Sequence, residues 1–121
     1  MVKRATILSR FVAVDDASTA LPFGPIVVAD PATLAAAATA EAYESMLVEI
    51  DAVTVVNANP DAPKDFDEVS VTGNLRVDDQ LYAPFDNTFA QGASFAKIVG
   101  IAGLSFGNYK LWPRAAADIA P

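Results

Sequence analysis

Apolar residues in this chain fall into short, β-branched runs separated by polar and proline-containing breaks, a pattern that predicts strands rather than long helices. Ala5 to Val14, rich in Ile, Leu, Phe and Val, has the character of a strand, and Asp15-Asp16-Ala17-Ser18 that of the turn after it. Pro22-Phe23-Gly24-Pro25 is a second break, before a short apolar run at Ile26-Val27-Val28-Ala29. Asp30-Pro31 is a helix start. Asp30 can accept from the free N–H groups of a first turn, and Pro31 suits the first helical position. The Ala-rich segment after it predicts one short helix to about Ala40.

From Ser45 the period changes. Met46 to Val56 is long and β-branched, and its inward positions Val48 and Ile50 alternate with Glu49 and Asp51. A strand of this length usually bends to serve two sides of a barrel. A polar loop from Asn57 to Asp67 precedes a strand at Glu68-Val69-Ser70-Val71. Thr72-Gly73-Asn74 is a tight turn, and a third strand begins at Leu75 and extends to about Tyr82. Ala83 to Gln91 is a loop with Phe85 and Phe89 as anchors. Ser94 to Phe106 is a long strand, and Gly107-Asn108 a turn into Tyr109-Lys110-Leu111-Trp112, which Pro113 stops.

The expected architecture is mainly β: a five-stranded, OB-like Greek-key barrel over residues 41–121, with a strand and short helix over 1–40 as an N-terminal extension. The loop Ala83–Gln91 stands where many OB barrels carry a helix.

Composition narrows the chemistry. The 121 residues amount to one ordinary domain, and at 53% hydrophobic and 19% charged they can form a real core. The net charge of -7 opposes generic binding to phosphate backbones, which draws on Lys and Arg. No cysteine means no disulfide and no zinc–thiolate site. No histidine removes the commonest general base and metal ligand, and no serine has an evident activating partner, so an enzyme is not expected. No apolar run has the length of a membrane helix. Met1-Val2-Lys3-Arg4 has the charge of a signal-peptide start, but Ser9 and Arg10 interrupt the apolar run after it and no clean cleavage site appears.

Three segments carry a family resemblance: Val55-Val56-Asn57-Ala58-Asn59-Pro60-Asp61, Gly73-Asn74-Leu75-Arg76-Val77-Asp78-Asp79 and Ser105-Phe106-Gly107-Asn108-Tyr109-Lys110-Leu111-Trp112-Pro113-Arg114. Their order and spacing resemble the OB-like modules that accompany secreted bacterial endonucleases and exonucleases, often of myxobacteria, over about Glu41 to Ile119. The resemblance implies an accessory module with a binding or spacer role, placed outside the cell or on its surface. It does not imply nuclease activity, because the histidines of the catalytic domain are absent.

Two regions offer candidate binding positions. Lys110, Trp112 and Arg114 alternate and share one face of the last strand, an aromatic flanked by cations as single-strand binding requires. Arg76 and Lys97 join them if their strands are neighbours. The plain alternative is a Trp112 packed inward with soluble flanking charges. In the polar loop, Asn57, Asn59 and Asp61 alternate, and Asp65 or Asp67 would close a calcium site. Lys64 and the lack of a loop glycine fit equally a solvated turn whose side chains serve their own backbone. Asp78 and Asp79, adjacent on a strand, are expected to point to opposite faces and so not to form a carboxylate pair. The expected function is non-catalytic binding of an extended polymer, single-stranded nucleic acid or glycan. The alternative is a structural or self-associating module, calcium-stabilised in one version, with no small-molecule ligand.

Overall fold

A computed structural model describes residues 24–85 and 89–121. The strand expected at Ala5–Val14, its turn, and Pro22 and Phe23 lie outside the described residues.

The first described elements form the extension. Strand β1, Ile26–Val27, runs parallel to β2, Leu47–Asn57. Between them Asp30 Oδ1 accepts from the Ala32 N–H at 3.0 Å, the expected helix start. The single expected helix is instead two one-turn pieces, α1, Ala32–Ala35, and α2, Ala37–Ala40. Ala36 breaks them with extended torsions, φ −93° and ψ 130°. Alanine favours helix but supplies no side chain to anchor one, so packing decides where the turns fall. Leu34 and Val28 enter the barrel's core and Ala40 is buried, which pins this layer to the barrel.

The barrel consists of β2, β3 (Glu68–Val71), β4 (Leu75–Asp78), β5 (Ser94–Ser105) and β6 (Asn108–Trp112). Antiparallel pairs join β2 to β3, β3 to β4, β6 to β5 and β5 back to β2, and the parallel pair β4–β6 completes the ring. This is the closed, five-stranded OB-like Greek key that the sequence predicts. Closure leaves the ring no unpaired edge. The C-terminal tail adds a strand that sequence pattern did not predict, β7 (Ile119–Ala120), antiparallel to β5 at Lys97 and Ile98.

The long strand bends as expected. Up to Thr54, β2 bonds β5; at Val55 and Asn57 it bonds β3. Its inward positions change phase from Val48 and Ile50 to Val53 and Val55 across Ala52, which sits in the left-handed region at φ 53°. Inward side chains Val69, Val71, Leu75, Val77, Ile98 and Leu111 are fully buried. Phe85, also fully buried, joins the core, with the Phe89 ring 4.9 Å away and the Phe95 ring 6.1 Å away. The loop anchors thus replace the helix that many OB barrels place here.

Two glycines are dictated by close approach. Gly73, at φ 82°, lies against the Ala32 backbone, so the β3–β4 turn fits only under α1 without a side chain. Gly103 lies under the Trp112 ring, where a Cβ would collide with the indole. Gly103→Ala is therefore expected to cost about 2 kcal/mol by displacing that ring. Urea unfolding of the variant checks this, and an unchanged midpoint would show that the indole is free to move.

Candidate functional site: a charged cleft on the outer barrel face

Strand alternation that sends Val69, Val77 and Leu111 inward sends Glu68, Ser70, Arg76, Asp78, Lys110 and Trp112 to the outer face. Register then places them side by side. Glu68 stands opposite Asp78, and Arg76 opposite Lys110. Two carboxylates facing each other across strands repel. Lys110 resolves this from the neighbouring strand: its Nζ donates to Glu68 Oε2 at 2.5 Å and lies 3.5 Å from Asp78 Oδ2. Arg76 donates to Asp61 at 2.7 Å and to Glu68 Oε1 at 3.2 Å. Trp112 Nε1 donates to Asp78 Oδ2 at 3.1 Å.

This grid floors a cleft of about 500 Å³. The loop 57–67 contributes Asp61 and Phe66, the segment just after β4 contributes Asp79 and Gln80, and the β5–β6 turn contributes Phe106, with Asn108 starting β6. Phe66 and Phe106 are exposed, Phe106 at 96%. Lys110 Nζ sits 5.6 Å from the Phe106 ring centroid, within cation–π range. The turn is carried by Phe106 and Gly107, both at positive φ, one residue earlier than expected.

The expected binding residues separate. Arg76 and Lys110 come together, as neighbouring strands require. Lys110 is only 3% exposed, and both cations are already paired with carboxylates. Trp112 is half-buried beside the cleft, linked to it through Asp78. Lys97 is exposed on β5, paired in register with Asp51 of β2, and is not part of the cleft lining. Arg114 lies past the end of β6, where its guanidinium makes a forked pair with Asp118 at 2.8 Å to each oxygen. Asp118 also accepts from the Arg114 N–H at 2.9 Å. That hydrogen bonding outweighs burial and holds the Asp118 carboxyl below its usual range.

The loop side chains considered for calcium serve the backbone in part. Asn57 accepts from the Asn59 N–H, Asn59 from the Asp61 N–H, and Asp65 from the Asp67 N–H, each two residues on. Asp61 pairs with Arg76. Among the described residues no group of three or more acidic side chains is arranged to hold a metal ion.

Asp78 and Asp79 correct the expectation drawn from alternation. Strand β4 ends at Asp78, so the two-residue period no longer governs Asp79, and both carboxylates line the cleft. Burial, together with a hydrogen bond and repulsion from Asp78, pushes Asp79 up to about 6. At Arg76 burial works against the charge, but hydrogen bonds to Asp61 and Glu68 outweigh it and raise the guanidinium above its ordinary value. Glu68, Asp79, Phe66 and Phe106 do not stand out as site residues in the sequence. One signal exists for Glu68: opposite charges recur at outward phase on successive strands, at Glu68, Arg76, Asp78 and Lys110.

No family model matches the chain, and no curated protein or solved structure matches it. The resemblance to nuclease-associated modules therefore rests on the three sequence segments alone.

The grid makes two outcomes testable. Lys110→Ala strands Glu68 and Asp78 without their shared cation and is expected to cost about 3 kcal/mol or more. Lys110→Met combined with Glu68→Gln and Asp78→Asn should recover most of that loss in chemical denaturation, since neither carboxylate that Lys110 served is then left as an unpaired charge. Asp79 has a folded value above its unfolded one. The stability it contributes is complete below about pH 4 and is lost as pH rises through about 6. Asp79→Asn should flatten stability across that window and gain about 1 to 2 kcal/mol at neutral pH, discounted for partial exposure. Unfolding free energy measured against pH reads this directly.

Proposed function

We propose that the chain is a non-catalytic OB-like accessory module that binds an extended polymer in the outer-face cleft, and that the polymer is a glycan rather than single-stranded nucleic acid. One observation carries the reading. Phe66 and Phe106 stand exposed on the two loops that flank a polar floor built from β3, β4 and β6. In OB barrels generally, the face of the second and third barrel strands, between these same loops, takes oligonucleotides and oligosaccharides. That is an argument by fold, and the side chains must make the choice between ligands.

Sugar rings offer apolar C–H faces to aromatic side chains and hydroxyls to paired carboxylates and cations. The cleft supplies both. A phosphate chain would need unpaired Lys or Arg, but Arg76 and Lys110 are committed to Asp61 and Glu68, and carboxylates outnumber cations in the lining. The three-segment resemblance supports the accessory role and a place outside the cell or on its surface.

Calorimetric titration at low salt, with short oligosaccharides of several linkages and with single-stranded oligonucleotides, tests the reading. Saccharides are expected to bind, and Phe106→Ala to weaken them about tenfold, the scale of one stacking contact. Binding by oligonucleotides alone would reverse the choice of ligand. Silence from both classes would end the reading altogether.

A further inference from the structure

The cleft's acceptors are not all used. Both Glu68 oxygens are taken, one by Arg76 and one by Lys110. Asp78 Oδ2 is taken by Trp112 and lies near Lys110. Asp61 gives Oδ1 to Arg76, while its Oδ2 is buried without a hydrogen-bond partner among the described residues. Asp79 faces Asp78 and feels Asp67, so its charged neighbours are carboxylates. Against Asp61, Glu68, Asp78 and Asp79 the lining sets only Arg76 and Lys110. Salt bridges already neutralise part of this charge, and the remainder lining the cleft is acidic.

The walls point the same way. Phenylalanine faces attract cations as well as sugar C–H groups. Lys110 already lies within cation–π distance of Phe106, which leaves most of that ring open. A fitting ligand therefore has a flat apolar ring face and brings its own positive donors.

We propose that the cleft selects an amine-bearing glycan, a polymer of deacetylated amino sugars, with its ammonium groups answered by Asp79 and its ring faces set on Phe66 and Phe106. This rests on the glycan reading above and makes it specific. An ammonium group offers several N–H donors to a carboxylate whose charged neighbours are themselves carboxylates, and such charge-assisted bonds are about twice as strong as neutral ones. A neutral or acetylated sugar offers only neutral donors to the same oxygens. A bound cation would also favour the ionised form of Asp79. Near pH 6, where its proton is shared with solvent, binding should release a fraction of a proton.

The test compares short oligomers of glucosamine, N-acetylglucosamine and glucose by calorimetry at about pH 6, in buffers of different ionisation enthalpy, around the Asp79 value. The glucosamine oligomer is expected to bind about tenfold more tightly than the other two, the scale of one charge-assisted contact. It should also release protons. Asp79→Asn should remove that advantage and the proton release, while leaving the neutral oligomers unchanged. Asp51→Asn, an exposed carboxylate on β2 away from the cleft, should change nothing. Equal affinity for all three sugars would overturn the selectivity while keeping the glycan reading. An equal loss from Asp51→Asn would also overturn it, since the preference would then be the general pull of an acidic protein. If no sugar binds, the glycan reading fails first and this one with it.

Discussion

The parallel register between β4 and β6 is the constraint on which the rest of the molecule depends. It closes the ring, and it sets Val77 beside Leu111 on one face and Arg76 beside Lys110 on the other. Core and cleft are therefore two sides of one pairing. A slip of one residue would turn the charged pair into the core and the apolar pair to the surface, so hydrophobic burial holds the cleft in register as firmly as it holds the core. A parallel pair cannot be made by a hairpin. The chain must travel through the loop anchored by Phe85 and the whole of β5 before β6 can dock against β4.

Charge on the outer face is consistent with that closure. Glu68 and Asp78 face each other on adjacent strands, an arrangement that would repel if β6 were not there to bring Lys110 against both. Trp112, two residues further along β6, donates to the same Asp78 oxygen that Lys110 approaches and packs over Gly103 of β5. Buried ion pairs are poor sources of net stability. Here they occupy the floor of a cleft whose apolar walls come from loops, and they leave its two cations engaged while carboxylates outnumber them in the lining. That asymmetry is the chemical character of the site.

Much of this was legible in the chain. The strands at Glu68–Val71 and Ser94–Ser105, the turn at Gly73-Asn74, the stop at Pro113 and the barrel itself come from alternation and turn chemistry. The bend of β2 comes from its length. The single Ala-rich helix did not survive, because alanine provides propensity without contacts, and the buried Leu34 and Ala40 divided the segment between them. Asp79 departs from expectation because alternation stops with β4, one residue before it. Strand β7 shows no sequence signal because Ile119-Ala120 is too short to carry any period and exists only as a partner of β5.

Local pattern alone is enough to say which residues of a regular strand turn inward, since a period of two and a preference for burying Val, Ile and Leu are local properties that need no partner. It also placed Arg76, Lys110 and Trp112 at outward phase. Whether those cations would stay open to a phosphate chain was a different kind of question. Its answer depends on which carboxylates stand on neighbouring strands, and strand order and register are long-range facts that no local pattern encodes. Only the closed barrel brought Glu68 and Asp78 to Lys110, carried Phe66 and Phe106 to the rim of one cleft, and turned an expected cationic stripe into an acidic, aromatic-walled site.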